Sequence, residues 1–239
     1  MKNKQGGQIT IRAMAADLAC IEALLCALNK HGGNGVSCHH VRVYDEDILT
    51  IAYKDEASKM LVDEILQQGV EGLNGCIYAM SDSTLEKQLV DLLKLRGRMI
   101  SVAESFTGGG IAKRITSVSG ASKVYFEGIN AYNEKAKIKR LGVSPQTLAQ
   151  YGAVSEKTAC EMVSGLLQTG DCDIAIATTG LAGPNSDDSG LPVGLCYIAV
   201  GTRENISVHQ YHFSGSRDEI TEKAIGYALF LAYKQLKNL

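Results

Sequence analysis

The sequence predicts an α/β protein: a three-layer sheet with helices on both faces, preceded by a small α+β domain. From Met99 onward, short runs rich in Ile, Val and Ala alternate with segments whose apolar residues recur every three or four positions. That alternation places helices on both faces of a sheet. Before Ser81, helix-like and strand-like segments are mixed on a smaller scale. The polar cluster Ser81-Asp82-Ser83 separates the two regimes, so the predicted division is residues 1–82 and 83–239.

In the first part, Gln8–Arg12 alternates weakly, as a short strand does. Ala15–Lys30 carries Leu18, Ile21, Leu25 and Leu28 at helical spacing, and the glycines of His31-Gly32-Gly33-Asn34-Gly35 stop it. Val41–Tyr44 and Ile48–Tyr53 read as strands around the acidic turn Asp45-Glu46-Asp47. Asp55–Gln68 reads as a helix with Met60, Leu61, Ile65 and Leu66 inward, closed by Gly69. Ser83 and Glu86 then have the spacing of a capping box before Leu85, Leu89, Leu92 and Leu93.

In the second part, Met99–Ala103 is a predicted strand, Gly108–Thr116 a helix and Val124–Tyr132 a strand. Ser144-Pro145 opens a short helix, with proline in the first turn. Ser155–Leu167 is an amphipathic helix with Ala159, Met162, Val163 and Leu166 on one side. Asp173–Thr178 and Val193–Gly201 are buried-type strands, and Ile206–Phe213 alternates like a half-exposed one. Ser216 and Glu219 cap a last helix, whose stripe is Ile220, Ala224, Ala228, Leu231 and Leu236.

Composition narrows the function classes. The 239 residues carry a formal charge of −2, so no basic excess points to nucleic acid. No apolar run reaches the roughly 18–20 residues a membrane helix needs, and MKNKQGGQ is not followed by a signal-peptide core. The seven cysteines show no CxxC spacing and mostly sit in apolar contexts, as reduced core thiols of a cytoplasmic protein do. Cys38-His39-His40 lacks the further ligands a metal site needs, so neither metal nor cofactor is expected. A homo-oligomer is the default for a small enzyme.

Four polar clusters lie at predicted strand ends or loops. Val102–Gly110, VAESFTGGG, ends an apolar run in Glu104 and Ser105, followed by Phe106, Thr107 and three glycines. Glycines there suggest that something must approach the backbone closely. The others are Tyr132–Lys137, Thr178–Asn185 and Ser214–Arg217. In open α/β sheets ligands gather beyond the carboxyl ends of strands, where such clusters can converge. A serine needs a base to become a nucleophile. His209 and His212 lie within a predicted strand, which leaves Lys137 as base, with Tyr132 to share the proton. Amides of the first helical turn after Ser105 are candidates for an oxyanion site, and Arg217 for an anion. Each residue also has an ordinary use: Ser105 as a helix cap, Lys137 as a solvated lysine, Tyr132 as edge packing, Thr179-Gly180 as a strand exit and Arg217 as a surface charge.

AESFTGGG, AYNEKAK followed by LGV, YGAVSE, TTGLAGP, LPVG and FSGSR occur here in one order. In that order they resemble the CinA C-terminal domain family (competence/damage-inducible proteins), whose stand-alone version is a nicotinamide-mononucleotide amidase. The resemblance covers about residues 84–239. More weakly, Ile48–Leu93 looks like the KH-like segment that precedes this domain in longer members. The larger molybdopterin-binding-like domain has no counterpart here, so the pyrophosphatase activity associated with it is expected to be absent. The resemblance implies hydrolysis of nicotinamide mononucleotide to nicotinate mononucleotide and ammonia. It implies Ser105 as nucleophile, Tyr132 and Lys137 as its activators, and substrate contacts at Thr107, Gly108, Gly109, Thr179, Gly180 and Arg217. The cationic pyridinium ring suggests that Glu104 faces it. The partner is then a small nucleotide, with neither nucleic acid nor membrane. This sequence departs from the family pattern at Phe106, where cysteine is usual, at Asn133-Glu134-Lys135, and in the loop Asn185–Gly190 with Asp187 and Asp188, which lacks the usual lysine before Pro192. A non-catalytic nucleotide-binding or protein-interaction module of the competence/DNA-damage type is the alternative, and an amidase for a different amide is a third reading.

Overall fold

In the computed structural model, residues 6–186 and 190–238 are described, and the chain divides into two units, Met1–Leu85 and Glu86–Leu239. Asp187 and Asp188 lie outside the described residues.

The first unit runs β1 (Gly7–Met14), α1 (Leu18–Asn29), β2 (Val36–Val43), β3 (Glu46–Tyr53), α2 (Glu56–Gly69) and β4 (Ile77–Ala79). Its sheet is antiparallel in the order β2-β3-β1-β4. This βαββαβ path is the split-βαβ arrangement, in which β1 and β2, joined by α1, lie parallel on either side of β3. The core joins Ile11, Leu49 and Ile51 to Ile21, Leu24 and Leu28 of α1 and Val62 and Leu66 of α2.

Local chemistry starts both helices. The Asp17 carboxylate accepts from Ala19 N (2.9 Å), and Asp55 and Ser58 form a capping box at α2. β2 begins five residues before its predicted start. Ser37 and His39 are exposed and polar and so hide the strand pattern, yet the stretch pairs with β3 throughout. Met60 is 67% exposed rather than inward. The buried positions of α2 are Ser58, Val62 and Leu66, one helical turn apart, which turns Met60 to solvent.

α3 (Leu85–Arg96) leads into the second unit: β5 (Ile100–Glu104), α4 (Gly110–Thr116), β6 (Tyr125–Asn130), α5 (Glu134–Leu141), α6 (Pro145–Tyr151), α7 (Glu156–Gln168), β7 (Ile174–Gly180), β8 (Leu195–Gly201), β9 (Ile206–His212) and α8 (Arg217–Lys237). In place of a capping box with Ser83, Glu86 accepts from Arg114 Nη2 (2.7 Å). The sheet order is β6-β5-β7-β8-β9. β5, β6 and β7 are parallel, β8 is antiparallel to β7, and β9 is antiparallel to β8. α7 packs its Ala159, Met162, Val163 and Leu166 on a face paved with Ala103, Ala175, Ala177 and Ala199. α8 packs on β7 and β8 and against α4.

From β5 the chain passes through α4 to its neighbour β6. It then returns through α5, α6 and α7 to β7 on the other side of β5. The two crossovers leave a crevice at the carboxyl ends of β5 and β7, the switch point where ligands bind in such sheets. Because β9 runs parallel to β7, the start of α8 meets that same edge. No helix among the described residues is long and apolar enough to cross a membrane. Of the seven cysteines, only Cys172 and Cys196 are buried and Cys26 is exposed, so the expectation of mostly core thiols holds for two.

Candidate active site

Ser105 follows β5 directly. Its N–H donates to Thr178 O (3.1 Å), extending the β5–β7 ladder by one residue, and its carbonyl accepts from Gly108 N (3.1 Å). The side chain is largely buried, with its hydroxyl at the crevice.

Lys137 comes from α5, whose first turn is held by the Asn133 side chain accepting from Lys135 N (2.9 Å). Lys135 and Lys139 point to solvent, while Lys137 and Leu141, one turn apart, face inward. Lys137 is 1% exposed. Its Nζ lies 2.8 Å from Ser105 Oγ and 2.7 Å from Ala131 O. Burial pulls its ammonium from the usual 10.5 down to about 8, against the opposing pull of Glu134.

The two groups open into a cavity of about 290 Å³, which Phe106, Tyr132, Thr179 and Arg217 also line. Thr179 donates its hydroxyl to Ala153 O (2.6 Å), which fixes the oxygen, and Gly180 continues the wall. Arg217, the first residue of α8, lies within the Ser216–Glu219 capping box. Its Nη1 donates to Gly183 O (2.6 Å) and its Nη2 to the Tyr132 hydroxyl (3.0 Å).

Tyr132 is 61% exposed, and its hydroxyl pairs with Arg217, not with Ser105 or Lys137. This corrects the expected proton sharing: the ring stands at the mouth of the cavity. Glu104 is also placed differently. It is 1% exposed and accepts from the N–H groups of Gly109 (3.1 Å), Ile111 (3.1 Å) and Ala112 (2.9 Å). Glu104 therefore holds the start of α4 and does not face a ligand ring. The same bonds occupy amides that were candidates for an oxyanion. Thr107 pairs with Thr178 (Oγ1 to Oγ1, 2.7 Å) beneath the turn.

The three glycines have a backbone explanation. Gly108 and Gly109 adopt φ of +63° and +99°, and a Cβ on Gly110 would stand 2.3 Å from Ile225 Cδ1 of α8. What approaches is a helix, so Glu104, Thr107, Gly108 and Gly109 shape the turn around Ser105 without lining the cavity.

His209 Nε2 lies 3.3 Å from Ser207 Oγ and His212 Nε2 lies 3.0 Å from Val193 O, both away from this cavity. In β2, His40 pairs with Asp47 (2.8 Å) while His39 faces the other side. Among the described residues no group of three or more His, Cys, Asp or Glu could hold a metal. A larger groove of about 460 Å³, lined by Ser164, Gln168, Thr202 and Arg203, lacks a hydroxyl–lysine contact like that of Ser105 and Lys137. Sequence reasoning missed the Ala131 and Ala153 carbonyls, because every residue carries such a group and only folding aims it.

The family profile described as the CinA C-terminal domain matches residues 82–236. A competence-damage inducible protein of Caldicellulosiruptor saccharolyticus is 43% identical over 185 residues, which cover 77% of this chain and 45% of that protein. A CinA-like protein of Kosmotoga olearia is 41% identical over 184 residues, 77% of this chain and 45% of its own. The chain thus spans about half the length of the curated relatives it matches. A solved CinA superfamily structure from Klebsiella pneumoniae superposes with a TM-score of 0.63 at 31% identity, over 65% of this chain and 97% of that one. A competence/damage inducible protein from Agrobacterium tumefaciens gives 0.61 at 35%, over 64% and 93%. With the profile spanning nearly all of the second unit, this chain belongs to the CinA C-terminal domain family.

Proposed function

We propose that the second unit is an amidase that hydrolyses nicotinamide mononucleotide to nicotinate mononucleotide and ammonia, with Ser105 as nucleophile and Lys137 as base. The observation that carries this reading is the buried Ser105–Lys137 contact of 2.8 Å, with the lysine's affinity for its proton lowered. A neutral Lys137 donates to Ala131 O and turns its lone pair to the Ser105 hydroxyl. It takes that proton as Oγ attacks the carboxamide carbon. The resulting ammonium protonates the departing nitrogen, which leaves as ammonia and gives an acyl-serine. Water, deprotonated by the same amine, attacks the acyl carbon; the C–Oγ bond breaks to release the acid, and the Lys137 ammonium returns the proton to Ser105 Oγ. The N–H groups of Phe106 and Thr107, unpartnered among the described residues, suit the developing oxyanion.

Arg217 and Tyr132 at the mouth supply a cation for the phosphate and a ring for the flat base. Arg217→Ala is therefore expected to raise KM at least tenfold with a smaller change in kcat. Equal losses in both parameters would remove Arg217 from this role.

The test is ammonia release from nicotinamide mononucleotide by the purified chain, beside a panel of other primary amides. Release from the mononucleotide alone supports the assignment. Release from another amide alone moves the reaction to that substrate, favoured then by the bulk of Phe106 in the cavity wall. No release from folded protein favours a binding module. Because only the neutral amine is a base, kcat/KM should rise with pH and level off above about 8. A flat profile from roughly two units below to one above that value excludes a lysine base. The rate is also expected to survive chelation, since each proton transfer uses Lys137.

A further inference from the structure

The cavity over Ser105 and Lys137 lacks a group that its substrate calls for. Among the described residues, Lys137 and Arg217 are the ionisable cations of its lining, and no carboxylate joins them. Glu104, the carboxylate next to Ser105 in the chain, is buried and held by three backbone N–H groups at the start of α4. Glu134, whose charge reaches Lys137, is exposed on α5 and absent from the lining. Yet the pyridinium ring of nicotinamide mononucleotide is a cation. Moved from water into a wall that includes Val154, Leu181 and Ala182, and beside two basic side chains, it needs a compensating partner.

An aromatic face is such a partner, because its π electrons attract a cation, and more strongly once water is removed. Two rings line the cavity. Tyr132 is 61% exposed at the mouth, where its hydroxyl accepts from Arg217. Phe106 is only 6% exposed, and it contributes to the cavity wall directly after Ser105. The carboxamide that Ser105 attacks is bonded to the pyridinium ring itself. The ring therefore lies in the part of the cavity that the Ser105 hydroxyl reaches, away from the solvated mouth.

We infer that the Phe106 side chain recognises the cationic ring, packing its face on the pyridinium in place of a carboxylate. The site thereby selects amides borne on a flat, positively charged ring over neutral aromatic and aliphatic ones. This inference rests on the amidase reaction proposed above and adds the feature by which the site chooses its substrate. Phenylalanine also suits a lysine base. A carboxylate in the same place would pair with Lys137 and strengthen its hold on the proton, whereas a ring face attracts the substrate and leaves the amine free to become neutral. The Phe106 ring takes no part in proton transfer.

The test compares nicotinamide mononucleotide with its reduced dihydropyridine form, which keeps the ribose, phosphate and carboxamide but has a neutral ring. Calorimetric titration of the full chain carrying Ser105→Ala, in which the attacking atom is gone, should show the cationic form bound at least about tenfold more tightly. Adding Phe106→Leu keeps an apolar side chain without a π face. It should bring the two affinities within about threefold, mainly by weakening the cationic form, while Phe106→Tyr should preserve the difference. With Ser105 restored, Phe106→Leu should raise KM for the mononucleotide about tenfold and Phe106→Tyr should not. Equal binding of the two forms by the chain with Phe106 overturns the inference without recourse to any change at that position. A preference that persists in folded Phe106→Leu overturns it too, and in both cases ammonia release by the unaltered chain would leave the amidase assignment standing. A folded, unaltered chain that neither binds nor hydrolyses the mononucleotide removes that assignment and this inference together.

Discussion

Ser105→Ala is expected to lower ammonia release from nicotinamide mononucleotide by at least about 1000-fold, through kcat rather than KM, because it removes the attacking atom and leaves the cavity wall. The turn should survive. The Ser105 bonds that hold it run through the backbone, from its N–H to Thr178 O and from Gly108 N to its carbonyl, while Glu104 and the Thr107–Thr178 pair fasten its flanks. Steady-state kinetics with a melting curve checks both parts. Turnover within tenfold of wild type would mean that the nucleophile is water or another group, and the role of Lys137 would then need to be reassigned.

Lys137→Met should lose activity on the same scale without losing stability at neutral pH. The side chain is of similar length and enters a buried site. In the folded chain the ammonium is held near 8 against 10.5 unfolded, so the unfolded state binds the proton more readily. At pH 7 the amine is charged in both states, and its burial costs about 3 kcal/mol. That cost is present in full below about 8, fades as pH rises towards 10.5, and is absent above it, so Lys137 makes stability increase with pH across this window. Methionine removes the cost and forfeits the bond to Ala131 O, worth about 1–2 kcal/mol when the carbonyl is left unpaired. Urea melts should show the variant at least as stable as wild type at pH 7 and less stable at pH 10.5. A variant destabilised equally at both values would show that Lys137 is not held near neutrality by burial.

Much of the second unit was legible because its elements announce themselves locally. The Ser216–Glu219 box, the Ser144-Pro145 start and the Ile, Val and Ala runs of β7 and β8 each need only a few consecutive residues to be read. Where the signal was mixed, the boundaries slipped. β2 was cut short by exposed Ser37 and His39, and Met60 was turned inward by a count that only the packing of α2 could correct. The order of strands in both sheets was illegible for a related reason: it is a property of pairing, and no run of residues states which strand lies beside which.

The sequence by itself determined the α/β class, the helix caps, the family motifs and the short set of residues from which a site could be built. It could not distribute their roles. Glu104, Thr107 and the glycines lie in the same nine-residue motif as Ser105, yet they turn towards α4, Thr178 and α8, while Lys137 reaches Ser105 from thirty-two positions away. Only the tertiary structure could decide this, because direction depends on which backbone groups stand opposite each side chain. The same holds for the chemistry of Lys137. Its sequence neighbours Lys135 and Lys139 suggest a solvated amine, and desolvation in the fold is what lowers its hold on the proton.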